Sequence, residues 1–191
     1  MKYLPLLLIV LSVFSCNKTK VSAQSTPGEP VTGKVDRRVK LRQGPEKGAD
    51  AKSLTLRMGS ATAGQGEKVC LPVEASGFTD LIGFQYTMRF DSASLKFEEI
   101  RGLNLPGYRV DNFGTRFAER GYVSTLWTDN ALQGATLATD HKLYEICFTN
   151  LMKSGQNTTV RFQDGPTSFE VIDKTMKELR FVYADGQVKS K

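Results

Sequence analysis

Phe84-Gln85-Tyr86-Thr87-Met88-Arg89-Phe90 is the most regular stretch of the chain, with a large apolar side chain at every second position. Successive side chains of a β-strand point to opposite faces, so this pattern predicts a strand with one buried face and one polar face. On the polar face we expect Gln85, Thr87 and Arg89, with Gly83 one step earlier in the same phase.

Further short segments share this β character, and turn residues such as Asp164-Gly165-Pro166 separate them. Together they make about nine strands, which predict an all-β sandwich or jelly roll over residues 53–191. The other segments are Leu54–Met58, Val69–Val73, Leu95–Phe97, Tyr122–Trp127, Leu143–Phe148, Thr158–Phe162, Phe169–Ile172 and Phe181–Tyr183.

The beginning of the chain has the pattern of an export signal. Lys2 precedes a nearly unbroken apolar run from Leu4 to Phe14, which is shorter than the ~20 residues that a membrane-spanning helix needs. The run ends at Ser15-Cys16, and a small residue before a cysteine is typical of a bacterial lipobox. We therefore expect a lipoprotein signal peptide over residues 1–15 and a lipid on Cys16. An ordinary secretory signal is the alternative.

Residues 16–52 have the composition of a tether. Small, polar and charged residues dominate, and the few apolar residues follow no period, so we predict that this stretch is disordered. By analogy with Gram-negative lipoproteins, Asn17 after the modified cysteine favours the outer membrane, on its periplasmic or surface side. The sequence thus predicts a lipid-anchored protein of a bacterial cell envelope.

Two cysteines remain once Cys16 is assigned to the lipid. Cys70 and Cys147 form an even pair, and such a pair in an oxidising compartment indicates a disulfide, with two free thiols as the alternative. The chain has one histidine and no Cys-x-x-Cys spacing. We therefore expect no metal site built from cysteine and histidine, and no cofactor.

Composition and motifs favour neither nucleic-acid binding nor catalysis. The net charge of +6 comes from 26 Lys and Arg against 20 Asp and Glu. The basic residues are spread out apart from a group at Lys34, Arg37, Arg38, Lys40 and Arg42, and no motif supports the charge, so no nucleic-acid partner is expected. Glu98 and Glu99 are neighbours, and neighbouring strand residues point to opposite faces, so we expect no glycosidase pair there. His141 follows Asp140 in an expected turn. The prediction is that the protein is not an enzyme.

Five segments follow one another in a distinctive order: Gly64–Val73, Ile82–Asp91, Ser94–Phe97, Val123–Trp127 and Leu143–Phe148. Their order and spacing resemble those of cohesin domains, over roughly residues 54–190. Cohesins are nine-stranded jelly-roll sandwiches related to cellulose-binding modules, so the resemblance implies that fold. It also implies that the strands of Cys70 and Cys147 are neighbours in one sheet, where the two cysteines could face each other.

The resemblance implies a docking function on the outer side of the sheet that contains Phe84 to Phe90. Cohesins bind dockerin modules in polysaccharide-degrading assemblies, and the essential calcium belongs to the dockerin. Family members often carry Asn-x-Asp where this chain has Gly83 and Gln85, so the resemblance is incomplete at this face. The predicted binding face comprises Gln85, Thr87, Tyr122, Leu126 and Asp129.

Two other functions remain open from the sequence. Direct carbohydrate binding would use exposed aromatic rings, for which Tyr108, Tyr122 and Trp127 are candidates, although strand phase favours a core position for Trp127. A structural envelope lipoprotein, with the sandwich as a spacer, is the other possibility. The expected partner is therefore a dockerin-like or other envelope or secreted protein, or a polysaccharide.

Asp91-Ser92-Ala93 is a separate feature of the sequence. It fits a tripeptide, Asp-(Ser/Thr)-small, that some envelope bacteria glycosylate at the hydroxyl. Asp91 also fits the turn that ends the family's third strand. The sequence leaves both interpretations open.

Overall fold

The computed structural model describes residues 28–45 and 52–191. These residues form fourteen β-strands and two short 3-10 helices, and none of their helices is long and apolar enough to cross a membrane. The helices are Val110–Asn112 and Ala118–Arg120. The strands are β1 (Val31–Thr32), β2 (Arg42–Gln43), β3 (Ser53–Met58), β4 (Ala61–Ala63), β5 (Lys68–Ser76), β6 (Leu81–Arg89), β7 (Leu95–Arg101), β8 (Phe113–Gly114), β9 (Tyr122–Thr128), β10 (His141–Asn150), β11 (Asn157–Gln163), β12 (Glu170–Asp173), β13 (Arg180–Ala184) and β14 (Gly186–Ser190).

The strands form two sheets that pack face to face. One, the β5 sheet, has the order β2-β13-β3-β5-β10-β7, with β1 beside β5. The other, the β6 sheet, has the order β4-β14-β11-β6-β9-β8, with β12 beside β6. The predicted all-β sandwich is confirmed, and all nine predicted strands are present. The five additional strands, β1, β2, β4, β8 and β14, have two to five residues, too few for a clear alternating pattern.

The core lies between the sheets and is rich in aromatic rings. Trp127 is 2% exposed and stacks on Phe84 with ring centroids 5.4 Å apart, which confirms its predicted core position. The hydroxyls of Tyr86 and Tyr144 meet across the core at 2.7 Å. Burial raises the pKa of both hydroxyls well above the ordinary tyrosine value, so each stays protonated and able to donate. Among residues 28–45 and 52–191, every fully buried side-chain nitrogen or oxygen atom has a hydrogen-bond partner.

Cys70 and Cys147 form a disulfide across the middle of the β5 sheet. They are directly opposite in the antiparallel pairing of β5 with β10, with their Cα atoms 4.0 Å apart. Both are fully buried, although they belong to the outward phase of their strands. The predicted disulfide is confirmed, and it joins two neighbouring strands of one sheet rather than the two sheets.

Residues 28–45, which we call the strap, differ from the predicted disordered tether. β1 adds to β5 in parallel, β2 adds to β13, and the segment between them crosses the outer side of the β5 sheet. Arg37 forms ion pairs there with Glu74 at 2.9 Å and Asp140 at 2.8 Å. Backbone pairing and ion pairs hold this segment in place. Neither interaction requires a periodic pattern of apolar residues, so the sequence contains no sign that the segment is ordered. The predicted signal peptide, Cys16 and residues 17–27 and 46–51 lie outside the described residues.

Replacing Cys70 and Cys147 together with alanine is predicted to lower the free energy of unfolding. The disulfide closes a loop with a sequence separation of 77 residues, and loss of the cross-link stabilises the unfolded chain by at most about 4.5 kcal/mol. Urea unfolding followed by tryptophan fluorescence would measure the change. Dithiothreitol should lower the midpoint of the wild type and leave the variant unchanged; a wild-type midpoint insensitive to the reductant would contradict the prediction.

Candidate functional site

The outer face of the β6 sheet is built by the register between β6 and β9. Gln85 lies opposite Leu126, Thr87 opposite Ser124, and Arg89 opposite Tyr122. Residues directly opposite each other in an antiparallel pair have side chains on the same face. The intervening residues of both strands are buried in the core. The predicted phase of the two strands is therefore confirmed, and the outward residues form rows across the sheet.

An apolar groove of about 280 Å³ lies at one end of this face. Leu126, Leu132 and Met176 border it and are 49%, 57% and 73% exposed. Gly83 also lines it, and a Cβ atom at this position would lie 3.3 Å from the carbonyl oxygen of Trp127, which is a tight contact. We call this site the groove; its apolar lining comprises Ile82, Phe84, Leu126, Trp127, Leu132, Ile172 and Met176.

The loop after β9 holds Leu132 at the edge of the groove. The carboxylate of Asp129 accepts backbone N–H groups from Ala131 at 3.1 Å, Gln133 at 3.0 Å and Gly134 at 2.9 Å. Leu132 has φ = +52°, a left-handed conformation that is costly for a residue with a branched side chain. The Asp129 hydrogen bonds offset that cost, and they keep an apolar side chain in contact with solvent.

The loop after β12 places Met176 in the same way on the opposite side of the groove. The carboxylate of Asp173 accepts the backbone N–H of Thr175 at 2.8 Å and of Lys177 at 3.1 Å. It also accepts the Thr175 hydroxyl at 2.6 Å, and this bond contributes most to lowering the pKa of Asp173. Met176 has φ = +64°. Two aspartate-anchored loops thus present two exposed apolar side chains across one groove.

Thr87 does not lie on the accessible surface, contrary to the prediction. The segment between β11 and β12 folds over it, so Thr87 is fully buried. Its hydroxyl donates to the carbonyl of Thr167 at 3.0 Å and accepts the Thr167 N–H at 3.0 Å. Thr87 and Thr167 are 80 positions apart in the sequence, so the periodic pattern of β6 does not show that another segment covers Thr87.

The other predicted face residues fall into three places. Gln85 and Leu126 both line the groove. Tyr122 lies at the opposite end of the face, half-buried beneath Arg89, whose guanidinium carbon is 4.0 Å from the ring centroid. Asp129 borders the groove loop, but its carboxylate is occupied by backbone N–H groups. The structure thus brings Gln85 and Leu126 together and separates Tyr122 from them.

Sequence reasoning missed the contribution of Leu132, Ile172 and Met176 to the groove. Leu132 and Met176 lie in turns between polar residues, as Asn130-Ala131-Leu132-Gln133 and Lys174-Thr175-Met176-Lys177. A large apolar side chain within a polar turn is the signal that could have identified them. Ile172 is outward because it faces Gly83 in the pairing of β12 with β6, a register that the sequence alone does not define.

The aromatic candidates for sugar stacking are not exposed as a group. Tyr108 and Trp127 are buried in the core, and each is hydrogen-bonded there, Tyr108 to Thr125 at 2.6 Å and Trp127 to the Pro106 carbonyl at 3.0 Å. Tyr122 is half-buried under Arg89. The described residues therefore show no flat strip of these three rings.

Glu98 and Glu99 do not lie on opposite faces as expected. The pairing of β7 with β10 shifts by one residue between Phe97 and Glu99, and such a bulge rotates the side chain of the extra residue. Glu98 accepts the Thr149 hydroxyl at 2.7 Å, a bond that lowers the pKa of Glu98, and Glu99 pairs with Lys68 at 2.6 Å. A general acid needs a raised pKa, so this arrangement does not favour acid catalysis.

His141 and Asp91 also have hydrogen-bond partners within the fold, and His141 is the first residue of β10 rather than part of the expected turn. His141 Nε2 lies 2.7 Å from the Asn104 carbonyl oxygen. Asp91 accepts the Ala93 N–H at 3.0 Å and the Ser94 hydroxyl at 2.6 Å, which fits the turn interpretation of Asp91. Among the described residues, no group of three or more His, Cys, Asp or Glu side chains could hold a metal ion.

The two sheets and the apolar groove define a β-sandwich module with a surface site rather than an enclosed cavity. The family model of the cohesin domain matches residues 54–189, and the chain belongs to the cohesin family. No curated protein matches the chain at a significant level.

Solved cohesins have the same fold. The OlpC cohesin of Clostridium thermocellum, solved as a type I cohesin–dockerin complex, has a TM-score of 0.62 and 14% identity, covering 75% of this chain and 97% of that one. The OlpA cohesin of the same organism, also in a dockerin complex, has a TM-score of 0.61 and 16% identity, covering 73% and 99%. A non-cellulosomal cohesin of Archaeoglobus fulgidus has a TM-score of 0.58 and 15% identity, covering 73% and 91%.

Replacing Asp129 with alanine is predicted to release the Leu132 loop. Three backbone N–H groups lose their charged acceptor, at a cost of about 1–2 kcal/mol in the free energy of unfolding. Hydrogen exchange at Ala131, Gln133 and Gly134 should become faster, as measured by NMR. Asp111→Ala, at an exposed site, is the matched control and should change neither quantity. Unchanged exchange in the Asp129 variant would show that other contacts hold the loop.

Proposed function

We propose that this cohesin domain is a docking module that binds a dockerin-like protein through the groove. The observation that carries the proposal is the convergence of exposed Leu126, Leu132 and Met176 on one outer face. Scattered exposed apolar residues need no explanation, but apolar side chains gathered around one groove are typical of a surface that a partner covers. The module acts by binding, without catalysis.

The structural relatives support a protein as the partner. The OlpA and OlpC cohesins were solved as complexes with dockerins, and this chain shares their fold. The groove lies on the surface and its lining is mainly apolar, with Gln85, Thr128 and Glu170 as its polar members, which suits an apolar side chain of a partner protein more than a hydroxyl-rich sugar. Secreted or envelope proteins, including those that break down polysaccharides, are the partners that this proposal favours.

The partner would differ in detail from an ordinary dockerin. Gly83 and Gln85 replace the Asn-x-Asp of many cohesins, and here Gly83 leaves space that the groove uses. An apolar groove recognises a partner by shape and burial of apolar area rather than by hydrogen bonds to an acidic side chain. The proposal therefore assigns recognition mainly to a large apolar side chain of the partner.

Leu126→Arg is predicted to abolish partner capture. A charged side chain at the centre of an apolar interface costs about 2 kcal/mol or more, which weakens binding by about 30-fold. Leu151→Arg is the matched control, because Leu151 is 40% exposed and lies outside the groove. Both variants and the wild type would be immobilised as full chains against envelope and secreted extract of the source cells, and captured proteins would be identified by mass spectrometry.

The elution conditions separate the remaining alternatives. A protein that EDTA releases from the wild type and Leu151→Arg, and that Leu126→Arg fails to capture, supports a calcium-loaded dockerin-like partner in the groove. Equal capture by all three baits would contradict the proposal. Retention on polysaccharide with no captured protein would move the function to direct carbohydrate binding.

We also propose that the module is attached to the bacterial envelope by a lipid on Cys16. The support is the sequence pattern of the export signal and of Ser15-Cys16. Two or three acyl chains, at about 0.8 kcal/mol for each buried CH₂ group, would be sufficient for stable anchoring. With Asn17 as the next residue, the outer membrane is the proposed location.

Cys16→Ser is predicted to move the protein from the membrane fraction to the soluble fraction of the envelope. The serine hydroxyl does not accept the thioether-linked lipid, so the chain would lose its acyl groups. Fractionation followed by intact-mass spectrometry would measure both changes. Asp111→Ala, at an exposed position of the folded domain, is the control and should remain membrane-bound. Membrane association of the Cys16 variant equal to that of the wild type would contradict the proposed lipid anchor.

A further inference from the structure

Four arginines gather at the end of the β6-sheet face that is farther from the groove. Arg89 and Arg161 lie directly opposite each other in the pairing of β6 with β11. Arg116 and Arg120 lie just before β9, on either side of Phe117. We call Arg89, Arg116, Arg120 and Arg161 the arginine cluster.

The Arg89–Arg161 pair is unfavourable for the sheet by itself. Like charges directly opposite each other destabilise an antiparallel pair, so packing within the chain does not explain both arginines. Arg89 is nevertheless held in place, because it stacks on Tyr122 at 4.0 Å and donates to the carbonyl of Arg120. A fixed guanidinium loses less conformational freedom when it binds a ligand, which favours binding.

An exposed aromatic ring extends the cluster. Phe117 is 46% exposed, and the guanidinium carbons of Arg116 and Arg120 lie 5.7 and 5.5 Å from its centroid. Arginine heads on an aromatic ring keep their N–H donors available at the edges of the guanidinium plane. The arginine cluster thus offers several guanidinium groups, each with paired N–H donors, around the ring of Phe117.

None of these arginines has a carboxylate in direct contact within the part of the chain that the structure describes. The pKa of Asp91 is lowered mainly by the Ser94 hydroxyl and also by the nearby charge of Arg89. Glu119 is in the same short helix as Arg120. None of the four takes part in an ion pair with an N···O distance of 4.0 Å or less. The carboxylate of Asp91, next to Arg89 in the same depression, is hydrogen-bonded within its own turn. With four arginines against the two carboxylates of Asp91 and Glu119, the cluster is a region of excess positive charge.

We propose that the arginine cluster binds an acidic segment of the docking partner, whose apolar side chain fills the groove. Guanidinium groups bind carboxylates through two parallel hydrogen bonds, so several aspartates or glutamates would match the cluster. From Leu126 to Tyr122 is four residues of one strand, or about 13 Å, a span that one short peptide segment covers. This inference rests on the proposed docking function and adds the charge of the partner to it.

A protein segment fits better than an anionic glycan or a lipid surface because the cluster and the groove share one face. Tyr122 belongs to the strand that also carries Leu126, and Arg89 belongs to the strand that carries Gly83 and Gln85. A partner with both carboxylates and an apolar side chain would satisfy both ends of the face. A polyuronate would satisfy the arginines alone.

The test uses a synthetic peptide with six glutamates and one central leucine, titrated into the full chain and followed by NMR. We expect shifts at the arginine cluster and at Leu126, with affinity falling as sodium chloride rises. The double variant Arg120→Glu, Arg161→Glu should weaken binding by about tenfold or more, because two side chains that attract the peptide's glutamates are replaced by two that repel them. Lys153→Glu, an exposed charge reversal elsewhere, is the control. The double variant Arg120→Ala, Arg161→Ala removes the two charges without reversing them and should also weaken binding. A spectrum with native NMR dispersion would show that this variant is folded.

The inference would be overturned by no binding of the glutamate peptide, by equal binding of the same peptide with lysines, or by unchanged binding by both double variants. Tighter binding of polygalacturonate, or of phosphatidylglycerol vesicles, than of the peptide would also overturn it, in favour of a glycan or a membrane. The capture experiment separates the two proposals. If Leu126→Arg still captures its partner while the double variants bind no glutamate peptide, the groove proposal fails and the arginine cluster stands.

Discussion

The antiparallel pairing of β6 with β9 is the constraint on which both the core and the outer face depend. Its register puts Phe84 against Trp127 in the core and, one residue later, Gln85 against Leu126 outside. Because strand side chains alternate with a period of two, a shift of one residue would exchange the two faces completely. The stacked pair of Phe84 and Trp127 makes such a shift costly. The register of β6 with β9 therefore determines both the packing of the core and the exposure of Leu126.

The pairing alone does not make a binding site, because a flat sheet face has no concave surface. The loops after β9 and β12 raise Leu132 and Met176 above the sheet, and Gly83 lines the groove between them. Both loops place a non-glycine residue at positive φ and stabilise it with an aspartate carboxylate. The positive φ angles of Leu132 and Met176 cost backbone energy, and the aspartate hydrogen bonds offset that cost. Such strained backbone conformations are typical of sites that bind a ligand or partner.

The sandwich was predictable from the sequence because its long strands each carry enough residues to show alternation. All nine predicted strands and the Cys70–Cys147 pair follow from that pattern and from the family resemblance. The strap was not predictable, because two-residue strands and the Arg37 ion pairs leave no period. The burial of Thr87 was missed for a related reason: its partner, Thr167, lies 80 residues away and no local rule connects them.

The two sheets of the sandwich differ in what their outer sides contribute. On the β5 sheet, the disulfide joins neighbouring strands and the strap covers the outer side, where Arg57 donates to the Val39 carbonyl. That sheet is therefore stabilised by a covalent bond and by backbone pairing. The β6 sheet leaves the two ends of its outer face accessible, with apolar side chains at one end and arginines without ion pairs at the other, while the segment between β11 and β12 covers Thr87 between them. A face with an apolar end and a charged end also fixes the direction in which a partner binds, because a reversed partner would place carboxylates against leucine and an apolar side chain against arginine.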